Sequence, residues 1–121
     1  VKILSNINDD KKFSILKNSD IFILCSNSRA ESFGISILEA ISFSLPLVIS
    51  NVKGSGMRDM IKNNINGLSF KVNSSKDCAK KILAIGSNRK NIIKFSNNSS
   101  RIFKRKFGRK FLEKKLLKIY D

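Results

Sequence analysis

Residues 19–51 read SDIFILCSNSRAESFGISILEAISFSLPLVISN. Two apolar runs of strand length, DIFILCS (20–26) and PLVIS (46–50), flank a polar loop and the stretch FGISILEAISFS (33–44). The apolar spacing of that stretch predicts a helix of about three turns. Continuous apolar runs of this length suit parallel strands covered on both faces. Pro46 fits the first position of its strand, where a missing N–H is tolerated. Strand, helix, strand in this order implies a parallel sheet with a right-handed crossover.

The same alternation extends outward. VKIL (1–4) is a short strand candidate. NDDKKFSILKNS (8–19) reads as a short helix, with Asn8 as N-cap and Asp9 and Asp10 in the first turn, where the helix dipole favours anions. NVKGSG (51–56) is a loop, and MRDMIKNN (57–64) a short helix running into an Asn–Asn–Ile–Asn–Gly turn. GLSFKV (67–72) is a fourth strand. From Ser75 on the pattern is helical: SSKDCAKKILAIG has a cap-like serine and a C-terminal Gly86, and NRKNIIKFSNNSSRIFKRKF follows. In GRKFLEKKLLKIY, residues Phe111, Leu112, Leu116 and Ile119 recur at helical spacing beside a basic face. The expectation is one α/β domain over 1–121, with strand/helix alternation over 1–74 and closing helices over 75–121.

With 121 residues, 41% hydrophobic and 27% charged, the chain suits one small globular domain. It opens on Val1 rather than Met, which reads as a fragment or a processed piece. No apolar run approaches the ~20 residues of a membrane span. Histidine is absent, which excludes serine–histidine triads and histidine-ligated metals within the chain. Cys25 and Cys78 lie far apart in no paired motif and read as free thiols. The net charge is +15, with Lys and Arg gathered after residue 76, and favours anionic partners.

In a parallel sheet, ligands bind where strand tips run into helices. The loop 26–34 is such a place. Gly34 permits close backbone approach, and free N–H groups near Phe33, Gly34 and Ile35 at a helix start suit a phosphate. Glu39 lies roughly 7.5 Å further along the axis at 1.5 Å per residue, with its side chain leaning back toward the N-terminus. Glu31 sits ahead of the helix. Two carboxylates about an anion site make sense if hydroxyl-rich groups lie at both ends of the phosphate, as in a nucleotide-sugar. Spacing alone equally allows Ser36, Glu39 and Ser42 as a solvated polar stripe, with Glu31 as an N-terminal anion.

From Asp20 to Phe70 the sequence resembles the donor-binding part of family 4 glycosyltransferases of the GT-B fold. The carrying residues are the stretch quoted first and KGSGMRDMIKNNINGLSF (53–70). They include two glutamates with seven residues between them, Phe–Gly after the first, Glu–Ala at the second, the Leu–Pro strand start and the Asn–Gly–Leu turn. The resemblance implies a partial Rossmann-like parallel sheet with flanking helices, the C-terminal portion of a GT-B fold. It implies that Glu39 binds ribose hydroxyls and that Glu31, in the catalytic position, faces the transferred sugar. Ser32, Phe33, Gly34 and Ile35 would contact sugar and diphosphate. It implies a retaining transferase that takes a UDP- or GDP-linked sugar, without cofactor or bound metal, to a saccharide or lipid-linked acceptor. The acceptor site would lie in an N-terminal domain outside this sequence, and the chain alone would be inactive. Ser44 replaces the family's usual glycine and Asp59 its frequent glutamate. No residue matches the family's phosphate-clamping Arg and Lys.

A cytoplasmic place in polysaccharide biosynthesis follows from the resemblance, with peripheral contact at the inner membrane face through the basic tail. The alternatives are a basic module binding nucleic acid or anionic membrane after residue 76, and the remnant of a broken gene. Phe95, Phe103, Phe107 and Phe111 interleave with the cations there, but such spacing favours core over stacking platforms, so nucleic acid is the weaker partner. A sheet lacking its first strands would also leave an unpaired apolar edge.

Overall fold

A computed structural model describes residues 1–28 and 34–108, the side chains of 57 and 58 excepted. Three parallel strands, β1 (Phe22–Leu24), β2 (Leu47–Ser50) and β3 (Gly67–Phe70), form a sheet in the order β1-β2-β3. Four helices accompany them: α1 (Asp9–Lys17), α2 (Ile35–Ser42), α3 (Ser75–Gly86) and α4 (Arg89–Phe107). The α/β class and the parallel sheet are as the sequence predicts.

β2 is the middle strand and is buried at every position. Phe22 faces Leu47 and Leu24 faces Ile49 across one ladder; Leu47 faces Gly67 and Ser50 faces Phe70 across the other. Alternation along β2 divides the core. Leu47 and Ile49 point toward Leu16, Ile37, Ile41 and Ile102, whereas Val48 points toward Phe70, Ile85 and Phe95. The helices thus cover both faces of the sheet, as parallel strands require.

Local chemistry sets the helix limits. Asn8 Oδ1 accepts from Lys11 N at 2.9 Å, and Asp9 and Asp10 occupy the first turn of α1. Ser74 Oγ caps α3 by accepting from Asp77 N at 3.1 Å. α4 is fastened to the core by a buried hydrogen bond from Ser99 Oγ to Leu45 O, 2.8 Å.

Four expectations are corrected. Val1–Leu4 is not a strand: it has no ladder neighbour among the described residues, and its side chains are exposed. Residues 57–64 do not form an α-helix. Only a 3-10 turn, Gly56–Asp59, appears, and the chain then bends around the fully buried Asn66. Asn66 Oδ1 accepts from Lys62 N at 2.7 Å and its Nδ2 donates to Met60 O at 3.2 Å, so the side chain competes successfully with helical backbone pairing. α2 is two turns rather than three, because Gly34 begins it and Ser44 adopts a left-handed φ of 61° just past its end. β1 is not covered on both faces: Ile23 is 41% exposed. The helix expected over 108–120 lies largely outside the described residues.

The two sheet edges differ. Beyond β3, Asn63 Oδ1 accepts from Ser69 N at 3.1 Å and Asn64 N donates to Gly67 O at 2.9 Å, so the preceding turn covers that edge. β1 pairs only with β2 among the described residues. By alternation the backbone groups of Ile23 face away from β2. Phe95 is buried, and Phe103 and Phe107 pack against the core with ring centroids 6.2 Å apart, as core residues rather than stacking platforms.

Gly67 supplies a test of the close β2–β3 approach. A Cβ there would collide with Leu47 O and lie 2.7 Å from Leu47 Cβ. Gly67→Ala is expected to destabilise the fold by about 1–3 kcal/mol, read as a lower denaturation midpoint.

Candidate functional site

The carboxyl ends of the strands meet the start of α2. β1 leaves at Leu24, and its continuation is held beside β2 where Ser50 Oγ donates to Ser26 O at 2.5 Å. The helix is entered at Gly34, whose φ of 64° and ψ of 49° place it in the left-handed region. A side chain there would be strained, and its Cβ would lie 2.9 Å from Ile37 Cδ1. Glycine is therefore required both by the backbone and by packing on α2.

Among the described residues no side chain caps α2. Gly34 O receives the amides of Ile37 and Leu38 at 2.9 and 3.0 Å. The amides of Ile35 and Ser36 have no acceptor among the described residues. Ile35 is 64% exposed, so this helix start opens to solvent. The first-turn amides and the positive end of the helix dipole together suit an anion.

Glu39 lies one turn further on and is half-buried. It is not part of a solvated stripe. Its Oε1 accepts from Lys12 Nζ at 3.0 Å, and the same ammonium reaches Asp9 Oδ1 at 3.2 Å. The Lys12 ammonium also lies 5.0 Å from the centroid of the Phe13 ring, which in turn lies 5.8 Å from that of Phe43. The pairing joins the first turns of α1 to α2 and fixes one carboxylate oxygen of Glu39. A carboxylate has two acceptor oxygens, so its Oε2 retains capacity for a hydroxyl donor. Sequence reading missed Lys12. Its position one turn inside α1 was visible, but its facing helix was not.

The structure brings Gly34, Ile35 and Glu39 together on one helix. Glu31, Ser32 and Phe33 lie outside the described residues. A second feature escaped the sequence reading. A groove of about 340 Å³ is lined by Ile49, Ser50, Asn51, Ile61, Asn63 and Ser69. It opens at the tips of β2 and β3, the same edge of the sheet, and has the size of a small-molecule pocket. Asn51 and Asn63 following apolar segments were the available signal. Among the described residues no three His, Cys, Asp or Glu side chains converge as metal ligands, and no helix is long and apolar enough to cross a membrane.

The Lys12 ammonium is held above its ordinary value of 10.5, first by its hydrogen bond to Glu39 and then by that to Asp9. A raised folded-state value means this contribution is complete below pH 10.5 and is lost as pH climbs through the raised value. Lys12→Met is therefore expected to melt below wild type at neutral pH, with the gap closing above pH 10.5 in thermal scans followed by circular dichroism.

Comparison with known proteins gives the following. The family profile described as Glycosyl transferases group 1 matches residues 1–101. The fold is similar to that of HepE from Anabaena, crystallised with UDP, at a TM-score of 0.76 and 19% identity. That match covers 88% of this chain and 28% of the HepE chain. A HepE structure with UDP-glucose matches at a TM-score of 0.66 and 21% identity, over 83% of this chain and 28% of the other. The C-terminal domain of LpcC, a glycosyl transferase group 1 family protein from Francisella tularensis, matches at 0.69 and 22% identity, over 88% of this chain and 52% of that one. The chain thus spans less than two thirds of each of these structures. No curated protein matches the sequence.

Proposed function

Because the chain belongs to the group 1 glycosyl transferases, we propose that it is the donor-binding part of a retaining enzyme. That enzyme moves a sugar from a nucleotide-sugar to a saccharide or lipid-linked acceptor. The carrying observation is the start of α2 at left-handed Gly34, with Glu39 oriented by Lys12 one turn along. Dephasing these groups would leave a phosphate site without a hydroxyl acceptor beside it. HepE binds UDP and UDP-glucose, which supports a UDP-linked donor over a GDP-linked one.

On this reading Glu39 accepts hydrogen bonds from the ribose. The amides at Gly34 and Ile35, with Ser32 and Phe33 from the loop, hold the diphosphate and the sugar. Glu31 faces the transferred sugar as the catalytic carboxylate. As the bond from the anomeric carbon to the diphosphate breaks, negative charge grows on the leaving group. The start of α2 stabilises that charge electrostatically, so the step calls for no bound metal. Acceptor binding falls to an N-terminal domain of the whole protein, and the domain alone is inactive. The family 4 assignment rests on the pair Glu31 and Glu39 with Phe–Gly between them.

We place the enzyme in the cytoplasm, in polysaccharide biosynthesis, with peripheral contact at the inner membrane face. α4 supports that contact: RKNIIKFSNNSSRIFKRKF carries Lys and Arg but no acid. Anionic lipid attracts such a surface by about 1 kcal/mol per nearby cation.

Calorimetry on the full-length protein tests the donor reading. A UDP-sugar is expected to bind more tightly than its GDP counterpart. Glu39→Gln should weaken it roughly 10- to 100-fold, the loss of hydrogen bonds to a charged group. Glu31→Gln should suppress turnover more than binding. Unchanged donor affinity in a folded Glu39→Gln protein would remove Glu39 from the site.

A further inference from the structure

The fold brings the two cysteines of the chain together. Cys25 follows the last residue of β1 and Cys78 lies in the first turn of α3, and both are free thiols. Strand alternation gives the first reason. Ile23 stands opposite Val48, which points toward the layer of α3 and α4, so Ile21, Ile23 and Cys25 share that face. Spacing gives the second. A Cβ on Gly86, at the far end of α3, would lie 3.4 Å from Ile21 Cδ1. Going back from Gly86 to Cys78 covers about 12 Å of helix. Going on from Ile21 to Cys25 covers about 13 Å of extended chain. Because α3 runs against the strand direction, the two paths end at the same place. The third reason is electrostatic: Cys25 lies near enough to Cys78 to contribute to the upward shift of its thiol pKa.

We propose that Cys25 and Cys78 form a reversible disulfide, a redox-modification site that clamps the exit of β1 to α3. Their environments assign the roles. Cys25 is exposed and meets the oxidant; Cys78 is partly buried, and burial first, then Cys25 beside it, pushes its thiol pKa up. The Cys25 thiolate attacks one sulfur of a low-molecular-weight disulfide such as oxidised glutathione. A protein–glutathione S–S bond forms and one glutathione thiolate leaves. The Cys78 thiol then loses its proton to solvent and its sulfur attacks Cys25 Sγ, expelling the second glutathione. Two protein thiols give up two electrons and two protons, and oxidised glutathione is reduced to two thiols. On oxidation the two sulfurs close to about 2.05 Å. The pairing stands independently of donor binding. The clamp nevertheless sits at the root of the loop that leads to Gly34.

The full-length protein is equilibrated in glutathione buffers from reducing to oxidising, quenched by alkylation, digested and mapped by mass spectrometry. The expected product is one linked peptide pair carrying Cys25 and Cys78 within a single chain, released by dithiothreitol. In Cys78→Ser, or Cys78→Ala should the serine disturb packing, Cys25 should instead accumulate its glutathione adduct. That adduct should exceed the wild-type level about tenfold, since wild type has the resolving thiol at high effective concentration. In Cys25→Ser, Cys78 should stay reduced. Wild type that accumulates the Cys25 adduct as the variant does, keeps both thiols reduced in oxidising buffer, or links Cys25 between two chains would overturn the proposal.

Discussion

The double burial of β2 is the constraint from which the molecule follows. Four consecutive residues, Leu47–Ser50, lie out of solvent. Their backbone polar groups must therefore be paired on both sides, which the ladders to β1 and β3 accomplish. Their side chains must meet apolar partners above and below, which obliges helices on both faces. The ends of the strand are equally determined. Leu45 O is satisfied by Ser99 Oγ from α4, and Ser50 Oγ finds Ser26 O. The loop that leads to the start of α2 is thereby tied to the same strand that organises the core.

That arrangement explains why an otherwise apolar α2 carries a carboxylate. Glu39 sits between the hydrophobic contacts of Ile37, Ala40 and Ile41 and the opening of the helix, where α1 supplies a cation. A half-buried acid would be costly alone. Lys12 pairs with it and orients it, and its second oxygen is still able to accept another hydrogen bond. The site is therefore prepared by the packing of α1 on α2, two elements separated by a strand and a loop.

Much of this was legible in the residues. Apolar runs marked β1 and β2, and Asn8 and a cap-like serine in SSKDC marked the starts of α1 and α3, whereas α2 begins two residues later than its apolar spacing predicts, after Gly34. Local patterns failed where a distant partner decides the outcome. Val1–Leu4 has strand composition but no neighbouring strand among the described residues. The helical look of 57–64 yielded to Asn66, whose side chain takes the backbone groups of Met60 and Lys62. Lys12 is one of many lysines in the sequence, and nothing local distinguishes the one that faces Glu39. The meeting of Cys25 with Cys78 likewise depends on the path of α3 across the sheet.

The unequal rims of the sheet have a topological consequence. Asn63 and Asn64 occupy the outward hydrogen-bonding groups of β3, so enlargement on that side would first require the turn to be displaced. β1 carries no such shield among the described residues. Among the described residues the β1 side is therefore where an additional strand could pair without first displacing a turn, and the partly exposed Ile23 lies on that edge strand.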